Sequence, residues 1–378
     1  MKIALVGLTH PFRGGIAHYT TLLCRALAMR HEVAFFALSR QYPEFLFPGK
    51  TQIDESAATI KVDHHACIDS INPFTWFGTV LRIARFRPEL VVYSWWHPFF
   101  APSFGTIAHL SRMRGIPSCF LCHNALPHES SRVDKLLARY AFSAGRVFIT
   151  HSRQDHDDVR AMFPRASVHQ NPHPTYDVFT DDEAPSAGDA RRQLGLDGKR
   201  VLLYFGFIRE YKGLDVLLEA VEGLPADESY HLLVVGEFYE DREKYAGALD
   251  RLRERGQLTL VDSYVPNEEI PLYFAAADLV MIPYLSATQS GIVQIAYAFD
   301  KPVVATKVGG IPEVVQQGAT GFLVEPGDAE AIGGAVRSYF LSADRAAMRA
   351  AIAKESYKYS WDRMVETIEK ACEEIRSD

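Results

Sequence analysis

The sequence has no run of about 18 uncharged apolar residues, so no transmembrane helix is expected. Its opening, MKIALVGLTHPFRGG, lacks the longer apolar stretch and small-residue cleavage site of a secretion signal. A cytoplasmic protein is expected. Cysteine is scarce: five in 378 residues fit free thiols in a reducing compartment, not a disulfide framework. Positive charge is also short. Lys and Arg number 40 against 47 Asp and Glu, giving a net charge of −7, and the pI is near 6.1. A general nucleic-acid binder usually needs a basic face, so no nucleic-acid partner is expected. Ligands at zinc spacing are missing as well, and no metal is expected.

Apolar residues are 48% and charged residues 23%, the balance of a globular protein, in a chain long enough for two domains. IALVGL, a glycine-containing loop and IAHYTTLLCRALAMR read as strand, turn and helix. HEVAFFAL, LVVYSWW, SCFLCHN and RVFITHS follow as short apolar runs between helical stretches. This alternation predicts a parallel sheet covered by helices on both faces. A stretch rich in Pro, Asp and small residues, PRASVHQNPHPTYDVFTDDEAPSAGDA, then reads as a linker. The pattern restarts with RVLLYFGFIREYKGLDVLLEAVEGL and continues through HLLVVGEF, QLTLVDSYV, DLVMIPY and KPVVATKVGG. The expectation is α/β: two doubly wound, Rossmann-like domains, 1–172 and 173–355, with a ligand cleft at the C-terminal ends of their strands. The closing segment, 356–378, is amphipathic, with Met364, Ile368 and Ile375 near one stripe.

Several motifs carry chemistry. Gly14 and Gly15 precede a helix, where backbone N–H groups and the helix N-terminus suit a phosphate; a plain turn is the alternative, since the loop is not G-x-G-x-x-G. Arg209 and Lys212 stand in the first strand-to-helix loop of the second half and can neutralise a diphosphate. Gln289, Ser290 and Gly291 are expected to cap a helix beginning near Ile292, offering a second anion site. His123 ends a strand, which points it at the cleft. It also completes Cys119-Phe120-Leu121-Cys122-His123, a haem-attachment pattern better read as buried free thiols inside a strand. Trp76, Phe77, Arg82, Arg85 and Arg87 fit either an ordinary amphipathic helix or one lying on an anionic membrane. Trp95, Trp96 and His97 are placed to stack on an acceptor.

Taken together, PFRGGIAHYT, CHNALPHE, FGFIREYKGLDVLLEA and above all GIVQIAYAFDKPVVATKVGGIPEVVQQGATGFLVEPGD make the chain resemble a group 1 (family four) retaining glycosyltransferase of GT-B fold. The resemblance implies an acceptor-side first domain, a donor domain, and a C-terminal helix (356–378) that returns to the first domain. It implies that Gly14 and Gly15 approach the donor phosphate, that Arg209 and Lys212 hold the diphosphate, and that His123 lies beside the transferred sugar. It places Ser290, Gly291 and Ile292 on sugar and phosphate, and implies no cofactor beyond the nucleoside-diphosphate sugar; Thr288, Gln289 and Val265 are also expected at the donor, with backbone near Ser263–Val265 reading the base. Two departures stand out. The family's E-x7-E pattern falls on Thr288 and Ala296, so both carboxylates are missing, and Phe207 occupies the place of the usual arginine.

The expected activity is metal-independent transfer of a hexose, with retention, to a hydroxyl of a glycan or lipid-linked glycan. Such an enzyme would work in the cytoplasm, with peripheral contact at the inner membrane face. A non-catalytic nucleotide-sugar-binding paralogue and a GT-B-type sugar-nucleotide epimerase remain open.

Overall fold

The computed structural model describes every residue except 48–50, 58, 128–130, 181–183, 226–228 and 378. The last two residues of CHNALPHE and part of the linker, 181–183, therefore lie outside the described residues. The chain forms two compact units: Met1–Glu55, Thr59–Pro172 and Ser360–Asp378 make the first, Ser56–Ala58 and His173–Tyr359 the second.

In the first unit, β1 (Lys2–Gly7), β2 (Glu32–Arg40), β3 (His65–Asp69), β4 (Leu90–Trp95), β5 (Ser118–Cys122), β6 (Val147–Thr150) and β7 (Ser167–Gln170) form one sheet. Its order is β3-β2-β1-β4-β5-β6-β7 and its ladders are parallel. The connecting helices are α1 (Gly15–Ala28), α2 (Pro73–Phe86), α3 (Thr106–Arg112), α4 (Arg132–Phe142) and α5 (Arg153–Met162). Every residue of β4 and β5 is buried, because helices cover both sheet faces and leave no side for polar residues. One face packs α2, α3 and α4 against Tyr93, Phe120 and Phe148.

Helix α2 shows how local sequence sets this packing. The Asn72 side chain accepts from Phe74 N at 3.1 Å, Pro73 occupies the first turn, and the helix stops at Arg87, φ 55°. Trp76, Val80 and Ile83 point into the core at helical spacing. Of the residues that fitted either an ordinary amphipathic helix or a membrane-lying one, Trp76 belongs to the core, its indole Nε1 donating to Asp69 O at 2.6 Å, and only Phe77 of that aromatic pair faces out. Trp95 is corrected likewise. It is fully buried, donates to Ala125 O, and has no face left for an acceptor.

The second unit holds β8 (Arg200–Phe205), β9 (Tyr230–Val235), β10 (Leu258–Val261), β11 (Leu279–Ile282), β12 (Val303–Thr306) and β13 (Gly321–Val324). Their order is β10-β9-β8-β11-β12-β13, again parallel. The helices are α6 (Ala187–Leu194), α7 (Leu214–Glu222), α8 (Ala246–Glu254), α9 (Ile270–Ala276), α10 (Gly291–Ala298), α11 (Ile311–Val314), α12 (Ala329–Leu341) and α13 (Arg345–Lys354). The chain then rejoins the first unit as α14 (Trp361–Ser377). Met364, Val365, Ile368 and Cys372 of α14 pack with Tyr19, Leu23 and Leu27 of α1 on the sheet face opposite α2. No helix among the described residues is long and apolar enough to cross a membrane.

In each sheet the winding direction reverses once, between β1 and β4 and between β8 and β11. Loops leaving the C-terminal ends of those neighbouring strands diverge and open a crevice, which fixes where each unit can hold a ligand.

Candidate functional site

In the second unit the crevice lies between the loop after β8 and the loop after β11. Strand β8 ends at Phe205, and Gly206 then takes φ 105°, which brings the backbone against the side chains that follow. A Cβ at Gly206 would stand 3.2 Å from Lys212 Nζ and 3.6 Å from Ile292 Cδ1. The lysine of one motif and the helix start of another, 80 residues apart in sequence, thus meet over a single glycine. Tyr284, just past β11, supplies the next wall: Lys212 Nζ is 5.6 Å from its ring centre, and Ser290 Oγ donates to its hydroxyl at 3.5 Å.

That last bond corrects the expected cap. Ser290 is the N-cap of α10, but its side chain turns to Tyr284 and makes no bond to the helix backbone. The N–H groups of the first turn therefore keep the partial positive charge of an uncapped helix start directed at the crevice. Thr288 is buried, and its carbonyl accepts from Gly310 N at 2.7 Å, so the VGG turn after β12 pins the loop that presents Gln289 and Ser290.

Lys212 is only 9% exposed. Burial, and after it the Arg209 guanidinium, push its ammonium down from 10.5 to about 8. Neither Lys212 nor Arg209 is paired with a carboxylate among the described residues, so both charges remain available to an anion. Arg209 lies 5.1 Å over the Tyr239 ring, which itself packs at 4.4 Å on Phe207. Phe207 thus builds an aromatic shelf under Arg209, extended to Tyr264 at 6.4 Å. Val265 is buried in the loop after β10, the strand at the sheet edge, and is the chain neighbour of Tyr264. Ala296 is fully buried in α10 and offers no side-chain acceptor.

Tyr284, Tyr239 and Tyr176 were not singled out by the motifs. Tyr176 stands against the start of α10: a Cβ on Gly291 would lie 3.6 Å from its ring. Tyr284 had a usable signal, since it ends the apolar run DLVMIPY, and the neighbour of the first strand across a doubly wound sheet borders the crevice. Tyr176 had none, because it lies in the irregular linker.

In the first unit Gly14 takes φ 104°, ψ 170° and is the N-cap of α1, with Gly15 as the first helical residue. His123 follows β5 and is 1% exposed. Its Nε2 hydrogen-bonds with Ser94 Oγ at 2.9 Å, Ser94 with Thr20 Oγ1 at 3.0 Å, and Thr20 donates to Ile16 O at 2.9 Å. The histidine is thereby tied to the first turn of α1, immediately behind the glycine pair. Tyr19 meets its ring edge-on at 4.4 Å and His151 lies 5.3 Å away. Burial pushes His151 down to about 4, so this neighbour is uncharged at neutral pH. Cys119 and Cys122 are buried free thiols whose pKa values burial raises. Among the described residues no three His, Cys, Asp or Glu side chains are grouped to hold a metal ion.

Comparison with known proteins agrees with this architecture. Residues 14–173 match a glycosyl transferase 4-like domain and residues 199–340 the glycosyl transferases group 1 family. The alpha-D-kanosaminyltransferase of Streptomyces kanamyceticus is 26% identical over 233 residues, covering 57% of this chain and 59% of that protein. A putative teichuronic acid biosynthesis glycosyltransferase of Bacillus subtilis is 28% identical over 272 residues, 69% of this chain and 64% of that protein. The chain thus spans about three fifths of the length of these curated relatives. Among solved structures, Anabaena HepE in complex with UDP superposes with a TM-score of 0.77 at 19% identity, over 99% of this chain and 100% of that one. Two parallel-sheet units of this topology, the first matched by the glycosyl transferase 4-like model and the second by the group 1 model, make the chain a member of the group 1 glycosyltransferases, with the GT-B fold.

Proposed function

We propose that the protein transfers a hexose from a nucleoside-diphosphate sugar to a hydroxyl of a glycan or lipid-linked glycan, with retention and without a metal, in the cytoplasm. The observation that carries this reading is the convergence of Lys212 Nζ, the Gly206 backbone and the uncapped start of α10 at the switch point between β8 and β11. Anionic oxygens set there meet a helix N-terminus and two cations without a carboxylate partner among the described residues, an arrangement suited to a diphosphate leaving group. HepE, of the same fold, was solved with UDP and with UDP-glucose, which supports a donor of this class.

In the proposed step the acceptor hydroxyl approaches the anomeric carbon on the leaving-group face. The bond from that carbon to the diphosphate oxygen breaks, the new glycosidic bond forms, and the hydroxyl proton passes to the departing phosphate. Charge on the diphosphate grows as the bond breaks, so Arg209 and Lys212 bind the transition state more tightly than the ground state. Gly14 and Gly15 belong on the donor phosphate, and His123 beside the transferred sugar.

Lys212 gives the reading a pH signature. A bound phosphate holds the ammonium proton that the empty site releases near pH 8. Affinity for nucleoside diphosphate then falls as pH rises, by roughly tenfold between about pH 7 and about pH 9. Lys212→Arg keeps its charge over that range and flattens the profile. Calorimetric titration at the two pH values reads this, and a flat wild-type profile takes Lys212 off the phosphate.

The missing carboxylates give a second test. A ribose held by a glutamate presents two hydroxyls to one charged acceptor, an interaction worth about 1.5–3 kcal/mol that Ala296 cannot make. The 2′- and 3′-deoxy analogues of the preferred nucleoside diphosphate should bind within about tenfold of the parent. A loss of about a hundredfold or more would mean that another side chain has taken over the ribose.

A further inference from the structure

The start of α10 forgoes stability at two successive positions. Ser290 has the residue type and the backbone of an N-cap, φ −138° and ψ 114°, yet its side chain makes no bond to the helix. Gly291 opens the first turn, where glycine is a poorer helix former than alanine. Nothing in the fold demands a glycine there. Its φ is not left-handed, and a Cβ would meet only the Tyr176 ring, at an ordinary 3.6 Å. Lys212 faces the same crevice as a nearly buried ammonium without a carboxylate partner among the described residues. Local rules broken together around one crevice mark a place arranged for a ligand.

Tyr284 explains the missing cap. It follows β11 and is buried. Thr306 Oγ1 donates to its carbonyl, and the next residue, Leu285, donates its N–H to Tyr211 O at 2.7 Å. The tyrosine is thereby held both from β12 and from the turn that carries Lys212. Burial raises the pKa of its hydroxyl, which stays neutral at any working pH. A buried hydroxyl left without a partner is unfavourable, and among the described residues the one partner it finds is Ser290 Oγ, at 3.5 Å. The serine oxygen is thus turned away from the N–H groups of Ile292 and Val293, the two that an N-cap side chain engages. Those donors have no acceptor within the helix.

We propose that Tyr284 is a positioning residue whose hydroxyl draws Ser290 Oγ off the backbone of α10 and so keeps the helix start open to the diphosphate. The inference rests on the diphosphate reading of this crevice and adds a residue that acts through Ser290, not on the ligand. Tyr284→Phe keeps the ring beside Lys212 and removes only the hydroxyl. Ser290 then caps α10, and an incoming diphosphate has to displace the cap.

The test is calorimetric titration of the full chain with UDP, GDP and ADP, taking forward the tightest binder. Tyr284→Phe is expected to bind it about fivefold more weakly, the worth of a typical N-cap. The unliganded variant should unfold at the wild-type temperature or above, because the cap gained offsets the bond lost. In a Ser290→Ala background, where no oxygen can cap, adding Tyr284→Phe should change affinity by less than about twofold. A merely structural tyrosine would show no such suppression. An equal loss in both backgrounds would make Tyr284 a ligand contact, a joint fall of affinity and unfolding temperature would make it structural, and unchanged affinity would leave it no part in binding. Each of these overturns the proposal. Lys212→Ala and Arg209→Ala, titrated alongside, separate the two failures. If both bind as the wild type, the diphosphate lies elsewhere and the inference falls with that reading. If they bind weakly while Tyr284→Phe is unaffected, only the positioning role falls.

Discussion

Replacing Lys212 by Ala weakens nucleoside diphosphate binding about ten- to hundredfold, and Arg209→Ala does the same, because each removes a charge-assisted bond worth about 1.5–3 kcal/mol. The estimate sits at the upper end for Lys212, which is nearly buried, so its interaction with phosphate is little screened by water. Arg209 is held over Tyr239 and reaches the crevice with its orientation already fixed. Neither substitution breaks an ion pair among the described residues, and each removes only a cation lying over a tyrosine ring, Tyr284 for Lys212 and Tyr239 for Arg209. Thermal unfolding of the unliganded variants should therefore match the wild type, while calorimetry reads the affinity loss. Unchanged affinity in both variants would place the diphosphate elsewhere.

His123→Ala lowers turnover by about a hundredfold or more while nucleotide affinity changes only a few-fold, the pattern of a group that acts on the reacting sugar. The side chain is held on one nitrogen by Ser94 and braced edge-on by Tyr19, so its ring orientation is set before substrate arrives. Through Ser94 and Thr20 the same chain of bonds reaches the first turn of α1. Ser94→Ala leaves the histidine in place but loosens it, and a smaller fall in turnover is expected. Equal losses of turnover and affinity in His123→Ala would instead assign the ring a structural part. Wild-type turnover would remove it from the site.

The fold was legible because its signals are long-range averages. Apolar runs such as LVVYSWW and SCFLCHN can be buried on both faces only in a parallel sheet, and the strands appear where those runs lie. The convergence of Lys212 and Ile292 rests on the pairing of β8 with β11, which brings the loops after those strands together and which the order of apolar runs along the chain does not give. Directions of single side chains were not legible. Trp76 and Phe77 adjoin in sequence, yet one donates to Asp69 O inside the core and the other faces solvent, a difference set by one step of helical rotation. Ser290 has the residue type of a cap, but Tyr284, six positions earlier, offers its hydroxyl a competing partner. Trp95 looked like a stacking surface only while Phe142, 4.9 Å from its ring, was unknown. These outcomes depend on tertiary neighbours, which no local pattern encodes.

The most direct measurement of the central claim incubates the full chain with a panel of sugar-labelled nucleoside-diphosphate hexoses and an envelope extract from the source cells, then resolves the products. The account predicts label in a new glycoside whose anomeric configuration matches the donor, with free nucleoside diphosphate released in equal amount, and loss of both in Lys212→Ala. Label recovered only in an isomerised sugar nucleotide, or in unchanged donor across the whole panel, would contradict it.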